Sequence, residues 1–166
     1  MRPTSSSSAI RVRVVRMEDA GRLVPLFEAF YGTHFGGPIT PASVSERLRQ
    51  AEAHETLIVA EVGGRLTGFA SLRVTPSLDP APYAELSDLF VAPESRRLGI
   101  ASKLVRYVEG LARERGADHV IVLTGRSNAE AEAFYRSAGY EEHAVALRKP
   151  LRPADSRERE RAPPNP

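Results

Sequence analysis

The sequence predicts one α/β (α+β) domain, with a mixed, mostly antiparallel central sheet of about six to seven strands flanked by about four helices. Apolar residues alternate with polar ones in the first half, where a Gly-Gly turn joins two predicted strands. The second half alternates strand, helix, strand and helix, a pattern typical of α/β architecture. The 166 residues are enough for a single domain with an apolar core.

The first half is predicted to contain a strand, two helices and a hairpin. Ile10–Arg16 alternates apolar and charged residues with a period of two, as in a half-buried strand. Glu18–Tyr31 has apolar residues at helical spacing around Pro25, a residue that can kink or split a helix. Thr40 precedes a proline and is predicted to cap a second helix. The hairpin strands are Thr56–Glu61 and Arg65–Val74.

The second half supplies the remaining elements. Ala84–Val91 is predicted to be a strand and Ile100–Arg115 a helix with one apolar face. His119–Thr124 is short and nearly all apolar, as in a strand buried on both faces. A capping box of Ser127 and Glu130 predicts the start of the last helix. Tyr140–Leu151 is predicted to supply one or two final strands.

The folded domain is expected to span residues 10–151. Residues 1–9 are Ser-rich and polar, residues 152–166 alternate Arg and Glu, and both ends are predicted to be disordered. Thr75–Tyr83 is a long, Pro-containing connection, where variation that faces a substrate is expected.

The composition argues against several classes of function. The chain has no Cys and four scattered His, so neither a disulfide framework nor a metal site is expected. No apolar run approaches the roughly 20 residues of a membrane span, and no secretory signal is recognisable, so a cytoplasmic protein without membrane contact is expected. The net charge is only +2, without a basic stripe, which argues against a nucleic-acid partner.

The turn Arg96–Ala101 is a candidate anion site. It lies between a predicted strand end and a predicted helix start, where unpaired N–H groups and a partial positive charge favour an anion. Gly99 and Ala101 keep the backbone accessible to phosphate oxygens, and Arg96 and Arg97 add cationic donors. The pattern fits a pyrophosphate but is neither a Walker loop nor a dinucleotide motif, and a plain strand-to-helix turn would look alike over so few residues.

Leu86–Ala101 reads Arg-x-x-Gly-x-Ala after a strand that ends in Phe-Val-Ala-Pro, and Asn128–Tyr140 reads Asn-x-x-Ala-x-x-Phe-Tyr-x-x-x-Gly-Tyr. Both stretches resemble the cofactor-side motifs of the GNAT superfamily of N-acetyltransferases, in the same order and at a fitting separation. The resemblance implies a GNAT-like fold and an acyl-CoA-dependent N-acetyltransferase. Such an enzyme moves an acetyl group from acetyl-CoA, its co-substrate, to a primary amine by direct attack in a ternary complex.

The resemblance also implies roles for individual residues. Backbone N–H groups from Arg97 to Ala101 would hold the pyrophosphate. The backbone of Leu89 and Val91 would pair with the pantetheine arm like an added strand, and Asn128 would bond the pantetheine. The full set of expected cofactor-binding residues is Leu89, Phe90, Val91, Arg96, Arg97, Leu98, Gly99, Ile100, Ala101, Asn128 and Tyr135.

Candidate catalytic groups lie in the strand before the turn and in the last helix. Tyr135, implied to point at the thioester sulfur, suits the acid role because its ordinary pKa of about 10 is close to that of a thiol. Glu85, acting through a water, is the first choice of base and Asp88 the second; strand alternation would place Ser87 on the face of Glu85 and Asp88 on the other. Similar diamine acetyltransferases carry an acidic residue where Ser87 stands, so direct base catalysis at that position is not expected. The N–H of Val91 is the expected donor to the tetrahedral oxyanion.

Several alternatives stay open at this point. The same fold can serve as a noncatalytic module that binds or senses acetyl-CoA. For an enzyme, the acceptor can be a small polyamine, an amino acid, an aminoglycoside-like amine or a protein N-terminus. A homodimer is a common outcome for proteins of this resemblance, and most of the rate enhancement is expected to come from positioning.

Overall fold

The computed structural model describes residues 9–74, 76, 78, 81–125 and 127–151. The termini predicted to be disordered fall outside the described residues, apart from Ala9, and so does part of the Thr75–Tyr83 connection. The chain divides into two compact units, Met1–Gly125 and Arg126–Pro166.

The first unit is built on one five-stranded sheet in the order β1-β2-β3-β4-β5. The first four strands pair antiparallel in sequence, and β5 joins β4 in parallel. The mixed, mostly antiparallel sheet is therefore as predicted. The strands are β1 (Arg11–Val14), β2 (Thr56–Val62), β3 (Arg65–Val74), β4 (Tyr83–Val91) and β5 (His119–Val122).

The predicted count of six to seven strands is too high for the described residues. Residues 140–151, expected to supply the last strands, contain none. Their alternating apolar side chains remain in solvent, with Val145 66% and Leu147 93% exposed. An alternating pattern forms a strand only where an edge pairs with it and a face buries it. β5 is also shorter than predicted and only half-buried, as befits an edge strand.

The described residues form four α-helices, the number predicted: α1 (Ala20–Tyr31), α2 (Pro41–Ala51), α3 (Ile100–Glu114) and α4 (Ala129–Ser137). α1 runs through Pro25 without a break. Proline removes a single backbone bond near the helix start, and buried neighbours such as Leu23 and Phe27 hold the helix on the sheet. Thr40 caps α2 as predicted, because its Oγ1 accepts from the Ser43 N–H at 3.2 Å.

Two glycines make the hairpin between β2 and β3. Val62 pairs with Arg65, so Gly63 and Gly64 alone form the loop. Their φ angles of 56° and 79° are both positive, which is the requirement of the tight turn that matches strand twist.

Apolar side chains cover both faces of the sheet. Phe69, in the middle of β3, is fully buried beneath α1, with its ring centroid 5.2 Å from that of Phe27. Ile58 and Leu72 point to the other face of their strands and are also fully buried. α3 packs against β3 and β4 through fully buried residues such as Leu104.

A buried charge network fixes the start of α1. Asp19 is fully buried and accepts two hydrogen bonds from the Arg13 guanidinium, at 2.6 and 2.8 Å, and one from Arg22 at 2.8 Å. The backbone N–H of Arg16 adds a further bond at 2.9 Å. These bonds, those from Arg13 first, lower the pKa of Asp19 to about 2. The network thereby links β1 to the start of α1.

Candidate active site

β4 and β5 separate where the predicted cofactor strand begins. They pair from Tyr83–His119 to Leu86–Val122, and β5 ends there while β4 continues to Val91. Beyond Leu86, the β5-facing edge of β4 has no strand partner among the described residues. This open edge is a place where an extended ligand can add to the sheet.

The backbone of β4 directs donors to that open edge. The N–H of Ala92 bonds to the carbonyl of Thr67 in β3 at 2.9 Å. Because N–H directions alternate along a strand, the N–H groups of Leu89 and Val91 point away from β3. These are the two residues expected to pair with a pantetheine arm.

The turn after β4 has an unusual backbone. A short 3-10 helix, Pro93–Ser95, is followed by Arg97 with φ 63° and Gly99 with φ 77°, and α3 begins at Ile100. A Cβ placed on Gly99 would meet nothing within 4 Å, so the surface in front of this residue is open. The first N–H groups of α3 face this opening without helical partners.

Side chains around the turn divide into anchors and exposed groups. Ile100 is buried and holds the start of α3 in the core. Arg96, Arg97 and Leu98 are exposed, and the Arg96 Nε donates to the Val91 carbonyl at 3.2 Å. Cations and N–H groups without helical partners at a helix start suit a phosphate ligand, so the site remains a prediction that this backbone favours.

A β-bulge in β4 overturns the predicted alternation of its side chains. Ser71 pairs with Asp88, but Leu72 pairs with Leu86, so Ser87 is an extra residue without a partner in β3. The hydroxyl of Ser87 is buried and has no hydrogen-bond partner among the described residues.

The bulge brings Glu85 and Asp88 to the same face of the sheet. Glu85 pairs with Arg73 and Asp88 with Ser71, and residues 71 and 73 lie two apart on the regular part of β3. The prediction that Asp88 faces away from Glu85 was therefore wrong, because an inserted residue shifts the alternation by one.

Asp88 is held by two hydroxyl groups that the sequence did not single out. Tyr31 at the end of α1 donates to its Oδ2 at 2.8 Å, and Ser71 donates to the same atom at 3.0 Å. Oδ1 has no hydrogen-bond partner among the described residues. Burial first, and then the nearby Asp88, raise the pKa of Tyr31, so its phenol remains a donor. A serine within the apolar run of β3 was the one sequence signal for this network.

A cavity of about 610 Å³ opens beside Asp88 on the α1 and α2 face. Its wall contains residues from α1, α2 and strands β1 to β4, all in the first unit. Those that contribute polar groups are Tyr31, His34, Arg47, Glu52, Glu55, Thr56, Ser71, Arg73, Asp88 and Arg115.

Glu85 has a different environment from Asp88. Its Oε2 lies 3.8 Å from Nη1 of Arg73, whose Nε lies 3.6 Å from Glu55. Glu85 is also absent from the cavity wall. Glu85 therefore has a cation beside it, whereas the donors to Asp88 are neutral hydroxyl groups.

The second unit contains the other two predicted site residues. Asn128, not Ser127, caps α4: its Oδ1 accepts from the Ala131 N–H at 3.1 Å, because the helix begins one residue later than the capping box implied. Tyr135 is 9% exposed, and its ring packs edge-on against Tyr140 at 5.5 Å between centroids.

Two further features of the described residues bear on other classes of function. No group of three or more His, Asp or Glu side chains is arranged to hold a metal ion in the part of the chain that the structure describes. None of the described helices has the length and apolar content needed to cross a membrane.

Comparison with known proteins agrees with the fold. The acetyltransferase (GNAT) family matches residues 23–140. The chain is 28% identical over 135 residues to YhfO, an uncharacterized N-acetyltransferase of Bacillus subtilis, across 80% of this chain and 91% of the relative. It is 30% identical over 131 residues to a mycothiol acetyltransferase of Clavibacter sepedonicus, across 77% of this chain and 41% of that protein.

A solved structure shows the same fold at lower identity. The aminoglycoside acetyltransferase AAC(6')-Iy, in complex with a CoA-containing bisubstrate analogue, matches with a TM-score of 0.71 and 21% identity, covering 87% of this chain and all of the other. The family match and the relatives together define an enzyme that transfers acyl groups. The chain belongs to the acetyltransferase (GNAT) family.

Proposed function

We propose that this enzyme transfers an acetyl group from acetyl-CoA to a primary amine, by direct attack within a ternary complex. The observation that carries the proposal is the open edge of β4, which runs straight into the positive-φ turn at the start of α3. The edge of β4 presents N–H groups that can bond to the amides of an extended chain. The turn presents N–H groups that can bond to phosphates.

The described residues fit the cofactor at both ends. Leu89 and Val91 would pair with the amides of the pantetheine arm, and backbone groups from Arg97 to Ala101 would hold the pyrophosphate. Gly99 leaves open space where phosphate oxygens would approach. The solved relative AAC(6')-Iy binds a CoA derivative on the same fold, which supports this use of the scaffold.

Asn128 and Tyr135 keep their expected roles in the proposal. The Asn128 cap uses Oδ1, so its Nδ2 remains a donor suited to a pantetheine carbonyl. Tyr135 would give a proton to the CoA thiolate as it leaves. Its phenol suits this step because the pKa values of a tyrosine and a thiol are similar.

Asp88 replaces Glu85 as the proposed proton acceptor. It borders the cavity, and its Oδ2 accepts from two neutral hydroxyl groups while its Oδ1 has no partner in the described part of the chain; Glu85 is instead paired with Arg73. The neutral amine nitrogen would attack the thioester carbonyl carbon as Asp88 takes the amine proton. The C–S bond then breaks, and the N–H of Val91 stabilises the oxyanion formed between the two steps.

A thiol-release assay with acetyl-CoA and a panel of primary amines tests the proposal. Stoichiometric release of CoA and formation of the N-acetylated amine, identified by mass, are expected for at least one member. Saturable binding of acetyl-CoA without transfer to any amine would instead favour a noncatalytic binding module.

A further inference from the structure

The charges around the cavity are distributed unevenly between its floor and its mouth. Asp88 lies at the floor with the buried Ser71 and the half-buried Tyr31. Five other charged groups of the wall are exposed at the mouth: His34, Arg47, Glu52, Arg73 and Arg115. Glu55 is half-buried, and its Oε1 lies 3.6 Å from Nε of Arg73. An amine that reaches the floor therefore leaves its distal part among these groups.

Two arginines of the mouth have no carboxylate partner among the described residues. Arg47 donates from Nη2 to the Phe35 carbonyl at 2.7 Å, and Arg115 donates from Nη1 to the hydroxyl of Thr56 at 2.7 Å. Arg73, by contrast, is already near two carboxylates. Glu52 is the one carboxylate of the mouth without a cation partner in the described chain.

Arg47 lies close to the hydroxyl network at the floor. Its Cζ is 4.7 Å above the Phe35 ring, whose centroid is 6.0 Å from that of Tyr31. The Tyr31 hydroxyl is in turn bonded to Asp88. A carboxylate at the floor and a guanidinium near the mouth are thus linked through two adjoining rings.

We propose that the acceptor is an amine that also carries a carboxylate, such as an amino acid or a short peptide. Its amino group binds at Asp88 and its carboxylate at Arg47. The inference rests on the proposed acetyl transfer and names the substrate class of the same site. The planar guanidinium of Arg47 has donors left over from its bond to Phe35, and such a fork matches the two oxygens of a carboxylate.

The same charges disfavour a polycationic acceptor. A second ammonium group at the mouth would meet the guanidinium groups of Arg47 and Arg115, which have no carboxylate partner among the described residues. Of the wall carboxylates near the mouth, Glu55 is already beside Arg73, which leaves Glu52 to attract such a group. Bringing like charges together at a partly desolvated site lowers the affinity for a ligand more than the loss of one favourable contact does. This chain is therefore expected to differ in acceptor from its aminoglycoside-modifying structural relative.

The test compares matched acceptors that differ only in charge. Amino acids and dipeptides are assayed for thiol release beside their C-terminal carboxamides, a polyamine and an aminoglycoside. The parent is expected to prefer the carboxylate members in kcat/KM by about tenfold or more, the value of one charge-assisted pair. Arg47→Gln should remove this preference, chiefly by raising the KM of the carboxylate members.

Arg49→Gln is the matched control, because Arg49 lies on the same helix, is exposed and pairs with Glu46. It should behave as the parent does. Equal or better use of carboxamides, polyamine or aminoglycoside would overturn the inference and leave the proposed transfer intact. A preference for carboxylate acceptors that persists in Arg47→Gln would also overturn the inference. If no member of the panel supports thiol release, the result contradicts the proposed function, and the inference about its acceptor fails with it.

Discussion

The carboxylate of Asp88 receives hydrogen bonds from two different elements, Tyr31 at the end of α1 and Ser71 in β3. Hydroxyl donors fix the orientation of this carboxylate without cancelling its charge, which suits a group that binds an ammonium or accepts its proton. Glu85, three residues earlier on the same face, is instead part of an ion-pair chain through Arg73 to Glu55. Two carboxylates of one strand therefore have different expected roles.

Substitution of each carboxylate by its amide separates these roles. Asp88→Asn is expected to lower kcat by about 100-fold or more, because it removes the proton acceptor. Glu85→Gln, the matched control, should stay within about threefold of the parent, since it only weakens a half-exposed ion pair. Steady-state kinetics with one fixed amine measures both. The opposite order of effects would restore Glu85 as the base.

Asp19 makes stability depend on pH in the acid range. Its pKa in the folded protein is about 2, below the ordinary value of 3.8, so the ionised form stabilises the fold above pH 3.8. That contribution, about 2 kcal/mol, should disappear as the pH falls from about 4 to about 2. Urea unfolding across this range measures it.

Asp19→Asn should lower the free energy of unfolding at neutral pH and flatten this part of the pH dependence. Glu18→Gln is the control, because Glu18 is exposed and its ion pair with Arg16 is also exposed. An unchanged acid slope in Asp19→Asn would show that other carboxyl groups cause it.

At the scale of elements, β4 combines three features that position the site. Its pairing with β5 stops at Leu86, its bulge at Ser87 turns Asp88 toward the α1 face, and its end leads into the turn at Gly99. One strand thus presents a backbone edge on one side and a carboxylate on its face. The backbone of β3 must stay close to β4 for both features to hold.

Gly68 in β3 permits this close approach. A Cβ at this position would lie 2.6 Å from the Phe90 carbonyl and 3.3 Å from the Val91 Cα, both backbone atoms of β4. Gly68→Ala should therefore destabilise the protein by about 1–3 kcal/mol and weaken acetyl-CoA binding, since β4 must move. Thermal unfolding and cofactor titration measure the two effects.

Gly110→Ala provides the comparison in the same protein. Gly110 lies inside α3, and an added Cβ meets nothing within 4 Å. Alanine should stabilise the helix there by up to about 1 kcal/mol and leave cofactor affinity unchanged. Equal stability of the two variants would contradict the close-packing argument for Gly68.

For the whole molecule, local sequence patterns predicted most of the architecture. The Gly-Gly hairpin, the Thr40 cap, the apolar face of α3 and the order of strand, helices and hairpin along the first half depend on short-range chemistry, and the structure has them as predicted. The missing final strands show the limit, because alternation at residues 140–151 cannot tell whether a partner edge exists. The GNAT resemblance and the enzyme class are confirmed by the family match.

The candidate site was predictable in part. The turn at Gly99 follows from glycine and its position before a helix, and the structure has the expected open backbone there. The face of the sheet on which the Asp88 side chain lies was not predictable, since a bulge depends on how two strands pair rather than on the sequence of one strand. Tyr31 and Ser71 reach Asp88 from positions 57 and 17 residues away in sequence, which no local pattern reports.

The edge of β4 and the turn at Gly99 form the proposed binding site for acetyl-CoA. Isothermal titration of acetyl-CoA, CoA and ATP into the parent, Gly99→Asp and Gly116→Asp tests it most directly. Gly116 is the control because it also has a positive φ, 82°, and open space for a Cβ, but lies beyond the other end of α3.

The parent and Gly116→Asp are expected to bind acetyl-CoA and CoA saturably, and not ATP. Gly99→Asp should remain folded and lose this binding, because its carboxylate would stand where the phosphates approach. Equal acetyl-CoA affinity in all three proteins, or no binding of acetyl-CoA and CoA to the parent, would contradict the assignment of the site.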